Sequence, residues 1–258
     1  MPIKKKKHIL LTNDDGIGSP GIRKLAEALC GIFHVHIVAP MDEKSACSRG
    51  MTLNSPLHAD SKDLGIPHAS CHGVGGLPVD CVKLGIDSLI RDPIDLVISG
   101  INRGINTGID VHYSGTVGAA MEAYMMGYNA LAFSLDTEDR KADYSVAVDW
   151  CLRMLDIIRE WKVERYIYNI NIPYCPDQKI KGVRLTRLNN FTYRENYESG
   201  IDKSGRKIFN LKGERVKLDP DPNSDIIAVM AGYVALTPLT WDFTDYRMIE
   251  KLSSNFKE

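Results

Sequence analysis

Apolar positions fall along the chain in two patterns, short solid runs and helical stripes. Residues 9–12 are a solid run that closes on Asn13-Asp14-Asp15-Gly16, and residues 35–39 are a second that closes on Pro40. Between them Ile22, Leu25, Ala26 and Leu29 recur at helical spacing, opened by Ser19-Pro20 and stopped by Gly31. Serine caps helices well, and proline fits the first helical turn. Strand, helix, strand in this order predicts a parallel pair joined by a right-handed crossover. The alternation continues, with strands predicted at 95–101, 130–135 and 166–172 and helices at 78–89, 114–127 and 144–161. Two more strands are expected at 51–59 and 67–73, after a polar loop over 41–51.

Such alternation predicts an α/β fold, a three-layer α/β/α Rossmann-like sandwich around a mostly parallel sheet. After residue 188 the pattern changes. Residues 189–216 are polar, aromatic and charged, with Gly200, Gly205 and Gly213 as turns, and are expected to form one or two hairpins off the main sheet. Residues 226–236 are apolar again, and 241–252 are expected to form a last helix. The expected organisation is an α/β core over 1–188 and a hairpin with C-terminal segment over 189–258. A free-standing hairpin is marginally stable, so packing on a partner subunit is expected.

Composition narrows the function classes. The chain has 258 residues, 44% hydrophobic and 25% charged, with a formal net charge of -1. No global field draws in a nucleic-acid polymer or an anionic membrane. The basic run Lys4-Lys5-Lys6-Lys7 reads as a solvated end rather than a nucleic-acid arm. No apolar stretch suits a signal peptide or a membrane span, so a cytoplasmic protein is expected. Six scattered cysteines with no C-x-x-C pair fit neither a disulfide scaffold nor a structural zinc site. Cys47, in the polar loop, is disfavoured as a catalytic thiol because no histidine is near it in sequence.

The candidate chemistry lies at strand ends. Asp14 and Asp15 follow the first strand, where an open α/β sheet keeps its binding crevice. Adjacent carboxylates repel unless a cation or proton lies between them. A hard divalent metal and an ordinary Asn-Asp-Gly turn both account for this segment. Gly16-Ile17-Gly18-Ser19-Pro20-Gly21 matches G-x-G-x-x-G, which makes a dinucleotide-binding oxidoreductase the rival reading. Two aspartates facing a pyrophosphate, and a proline lacking an N–H, count against it. A better phosphate site is Ser114-Gly115-Thr116 at a helix start. Parallel strands bring Asp14, Asp15, Ser45 and Asn102 to one sheet edge. That set offers only oxygen donors, which select Mg²⁺, Mn²⁺ or Ca²⁺ over zinc or copper.

Several long segments then resemble one family. Asn13-Asp14-Asp15-Gly16, Ser99-Gly100-Ile101-Asn102-Arg103-Gly104, Tyr113-Ser114-Gly115-Thr116-Val117-Gly118-Ala119-Ala120 and Gly232-Tyr233-Val234-Ala235-Leu236-Thr237-Pro238-Leu239 resemble the signature of the stationary-phase survival protein (SurE) nucleotidases. The resemblance implies a metal-dependent phosphomonoesterase for nucleoside 5′- and 3′-monophosphates, with short polyphosphate as a further substrate. It implies one divalent cation per subunit, Mg²⁺ or Mn²⁺, on Asp14, Asp15, Ser45 and Asn102. Asp14 and Asp15 would serve as catalytic carboxylates, as proton acceptor or, alternatively, nucleophile. Phosphate and substrate contacts would come from Asn13, Asn102, Gly104, Asn106, Thr107, Ser114, Gly115 and Thr116. A homodimer or homotetramer with swapped C-terminal segments is implied as well. A non-catalytic nucleotide-binding module is the remaining alternative.

Overall fold

A computed structural model describes residues 6–175 and 179–256; Lys4 and Lys5 of the basic run lie outside them. The first unit is β1 (His8–Thr12), α1 (Pro20–Leu29) and β2 (His34–Pro40). Then come β3 (Ala59–Ser61), β4 (Ala69–Val74), α2 (Pro78–Leu84), β5 (Leu96–Arg103), α3 (Gly115–Met125), β6 (Ala130–Leu135), α4 (Ser145–Glu160) and β7 (Ile167–Ile172). The chain ends with β8 (Val183–Leu185), β9 (Thr192–Ile201), β10 (Lys207–Val216), α5 (Asp225–Met230), β11 (Val234–Pro238) and α6 (Tyr246–Ser253).

Nine strands form one sheet in the order β3-β4-β2-β1-β5-β6-β7-β11-β8. β4 through β7 in that order are all parallel, while β3 and β11 run antiparallel to β4 and β7. Side chains alternate across a strand, so a solid apolar run feeds two cores at once. Ile9 and Leu11 pack with Ile22, Leu25 and Leu29 of α1 and Met154 of α4. Leu10 faces the other way, onto Cys81 and Val82 of α2 and Val117 and Ala120 of α3. The expected three-layer α/β sandwich is therefore the observed one. Each fully buried Leu or Ile of these layers contributes about 2 kcal/mol.

The chain leaves β1 for β2 on one side, while β5 flanks β1 on the other. That reversal is a topological switch point, where such sheets keep a crevice beyond the strand ends. Asp14, Asp15 and Asn102 stand there.

Two local expectations need correction. The strand expected at 51–59 is mostly loop, and only Ala59–Ser61 pairs. Thr52 gives its N–H and its hydroxyl to Asp80 at 2.9 and 2.7 Å, so this segment is tied to the start of α2 instead of a ladder. The helix expected over 78–89 is α-helical only to Leu84 and finishes in a π turn, Gly85–Leu89. The polar region contains a single hairpin, β9–β10, closed by a turn at Asp202 and Gly205. Among the described residues no helix is long and apolar enough to cross a membrane.

Candidate active site

Asn13 shapes the turn that presents the aspartates. Its side-chain N–H donates to the Gly16 carbonyl at 2.9 Å and the Ser19 hydroxyl at 2.8 Å. Asp14 is then turned toward the start of α3, where the Thr116 N–H donates to it at 3.1 Å and the Thr116 hydroxyl donates as well. The close fit requires glycine at 115, because a Cβ there would lie 2.8 Å from the Asp14 Cβ and 2.6 Å from the Cys47 Sγ. The positive end of α3 thus faces a carboxylate of the protein itself. Gly115 and Thr116, expected at a phosphate, spend their contacts on Asp14. Ser114 caps the helix by accepting the Val117 N–H at 3.1 Å.

Asp15 points the other way and accepts the Arg103 N–H from the end of β5 at 3.0 Å. The Arg103 guanidinium is 4.0 Å from Asp15 and only 3.0 Å from Glu43. Glu43 also holds Arg140 and accepts the Ser45 hydroxyl at 2.9 Å. Ser45 is therefore in the right loop, which Lys44 ties to the Asp14 carbonyl at 2.7 Å, with its hydroxyl turned to Glu43. Asn102 donates to the Gly104 carbonyl at 2.8 Å, which leaves its amide oxygen available. Asn106 is buried, its amide bonded to Ser134 at 2.8 Å and its carbonyl to Asn169 and Asn171. The buried Thr107 hydroxyl has no protein partner.

Burial pushes the Asp14 carboxyl above its ordinary value, against the lowering effect of Thr116. Burial, reinforced by the charge of Asp14, pushes Asp15 up to about 6. Two adjacent carboxylates are held out of water with one distant guanidinium between them and Glu43. The buried side-chain amide oxygen of Asn13 also lacks a partner. Uncompensated oxygens of carboxylate and amide type suit a hard divalent cation, so the residues present fit such an ion. The nearby Cys47 thiol is pushed up to about 11, chiefly by burial, and stays protonated at neutral pH.

Two cavities open beside these residues. One of about 370 Å³ is polar and includes Asp15, Glu43, Arg103 and Arg140. The other, about 320 Å³, has Ser114 and Arg49 beside Val111, Met121, Leu239 and Phe243. The glycine-rich turn after Asp15 offers little to a pyrophosphate. Its Ile17 N–H is spent on the Pro40 carbonyl and its Ser19 N–H on the Gly16 carbonyl.

A family model described as "Survival protein SurE" matches residues 9–195. The chain belongs to the SurE family. It is 37% identical over 254 residues to a protein named 5'-nucleotidase SurE from Clostridium beijerinckii, covering 97% of this chain and 100% of that one. A relative of the same name from Heliobacterium modesticaldum is 39% identical over 248 residues, covering 95% of this chain and 90% of the relative. The SurE crystal structure from Aquifex aeolicus superposes with a TM-score of 0.81 at 33% identity, covering 97% of this chain and 100% of that one.

In this SurE chain several supporting residues escape a reading of local sequence. Asp225, fully buried on α5, accepts the N–H groups of Gly108, Asn189 and Ile226 at 2.8, 2.9 and 2.8 Å. It locks the segment leading into Ser114 to the C-terminal region. Asp110 in that segment accepts Tyr193 at 2.7 Å and Arg215 at 2.8 Å, which anchors the hairpin base. Glu43 gathers two arginines and Ser45. Apart from the short-range bonds of Ser45 to Glu43 and of Ile226 to Asp225, these pairings span dozens of residues, and Asp225, Asp110 and Glu43 each look in sequence like ordinary surface charges.

Proposed function

We propose that the chain is a metal-dependent 5′-nucleotidase that hydrolyses nucleoside 5′- and 3′-monophosphates, with short polyphosphate as a further substrate. The observation that carries this reading is the buried Asp14–Asp15 pair at the switch point beside Asn102. The names of the SurE relatives support the substrate class. Asp14, Asp15 and Asn102 would hold one Mg²⁺ or Mn²⁺, and Ser45 would join them if its hydroxyl leaves Glu43. When bound, the cation supplies charge that offsets the phosphoryl group and acidifies water.

The remaining chemistry belongs to the chain. Thr116 fixes the Asp14 carboxylate, which makes it an orienting group with little freedom to move. Asp15 has one oxygen outside short hydrogen bonds and is the better acceptor for the proton of an attacking water. In this reading Asn102, the unpartnered Thr107 hydroxyl and the Ser114 turn would meet phosphate oxygens, and positioning and electrostatics would dominate catalysis. The Ser114 cavity, with Arg49 and Phe243 on its wall, suits a nucleoside, polar at one end and flat and apolar at the other.

Residues 189–258 would complete a homodimer or homotetramer. The exposed Tyr197, Ile201, Phe209 and Leu211 on the hairpin, and Phe243, Tyr246 and Ile249 near α6, support that reading. A monomer by sedimentation at micromolar concentration would remove it. The test of function is phosphate release from nucleoside 5′- and 3′-monophosphates and triphosphate, with NAD as control. Release abolished by EDTA and restored by Mn²⁺ is expected; no metal-dependent release from any substrate would overturn the reading.

A further inference from the structure

At the opposite end of β1 from the aspartates lies a second group of ligand-type side chains. His8 opens β1, His36 lies on β2, and Asp92 lies in the loop before β5. The His8 Nδ1 and His36 Nε2 atoms are 3.0 Å apart, and Asp92 Oδ2 is 3.9 Å from His8 Nδ1. One ligand atom from each of the three residues lies within 4.8 Å of the others, and among the described residues this is the one such grouping of His, Cys, Asp and Glu.

We propose that His8, His36 and Asp92 form a second metal site, for a borderline divalent cation of the Zn²⁺ or Co²⁺ class. Two imidazoles and a carboxylate with a fourth position open to water are a recurrent tetrahedral donor set. Imidazole nitrogen selects these ions over Mg²⁺, whereas the Asp14–Asp15–Asn102 oxygens select the reverse. Two nitrogens on one tetrahedral ion stand roughly 3.3 Å apart, so the His pair has to open by only about 0.3 Å.

The surroundings prepare the ligands. His36 Nδ1 is 2.8 Å from the Ser70 hydroxyl, which can accept its proton and so leave the Nε2 lone pair for metal. His34 stacks on His8 with ring centroids 4.7 Å apart, and the His8 backbone N–H donates to the Asp95 carboxylate at 2.8 Å. His8 is buried, while the Asp92 side chain is 54% exposed and gives an ion a way in. A bound ion would clip β1, β2 and the β5 approach together at the sheet edge remote from the aspartates.

The experiment uses the full untagged chain, stripped with EDTA and titrated with Co²⁺ in excess Mg²⁺, read by visible absorption. One equivalent per chain with the d–d bands of a nitrogen-ligated tetrahedral ion is expected. His36→Gln should abolish the bands and leave metal-dependent phosphate release within twofold. Asp92→Asn, at an exposed position that cannot threaten folding, should weaken Co²⁺ binding at least tenfold. Absence of Co²⁺ binding under excess Mg²⁺, or binding indifferent to both substitutions, would overturn the proposal.

Discussion

Asp15→Asn should make the metal-free protein more stable while destroying its activity. The Asp15 side chain is 9% exposed, adjoins Asp14 in sequence, and has its carboxyl held at about 6 against 3.8 for the unperturbed group. At pH 7 the folded state therefore carries an ionised Asp15 at a penalty of up to about 3 kcal/mol. Asparagine keeps an oxygen for the Arg103 N–H and removes the charge; the Arg103 guanidinium, closer to Glu43, loses little. Because the folded pKa is raised, the penalty is complete above about pH 6 and fades as pH falls toward 3.8. Urea unfolding in EDTA should show the variant about 1–3 kcal/mol more stable at pH 7.5. The gap should shrink steadily between pH 6 and pH 4.5. Mn²⁺ should then stabilise the wild type and not the variant. An Asp15→Asn protein less stable than wild type in EDTA, or an advantage independent of pH, would show that the buried Asp15 charge does not destabilise the folded state.

Gly115→Ala places a Cβ 2.8 Å from Asp14 and should displace that carboxylate; phosphate release is expected to fall on the order of 100-fold, for about 1–3 kcal/mol of lost stability. Steady-state kinetics within threefold of wild type would contradict the contact. Asp225→Ala strands three backbone N–H groups in the interior and should cost roughly 3–5 kcal/mol by urea unfolding, with a change below 1 kcal/mol counting against the lock between Gly108 and Asn189.

The alternating strands and helices up to β7 were legible because each solid apolar run feeds a core on both of its faces, as Ile9, Leu10 and Leu11 do. The sheet edge that gathers Asp14, Asp15 and Asn102 followed from parallel pairing alone. The 51–58 loop was not legible, since its apolar residues suit a strand and only the distant Asp80 diverts the backbone. Nor was the hydrogen bonding of Thr116: a Ser-Gly-Thr helix start serves a ligand or an internal carboxylate equally well, and the approach of Asp14 decides between them. Ser45 was readable as a loop oxygen, but its present bond to Glu43 depends on where the loop folds.

In the proposed reaction, phosphate release depends on a cation held by the strand-end carboxylates. The direct measurement is phosphate release from a nucleoside 5′-monophosphate by EDTA-stripped wild type and Asp14→Asn, each titrated with Mn²⁺. Mn²⁺ is expected to restore the wild type saturably, while the variant, still folded by circular dichroism, stays at least 100-fold lower at every Mn²⁺ concentration. Full activity of the stripped wild type without metal, or an Asp14→Asn protein restored to wild-type rate, would contradict it.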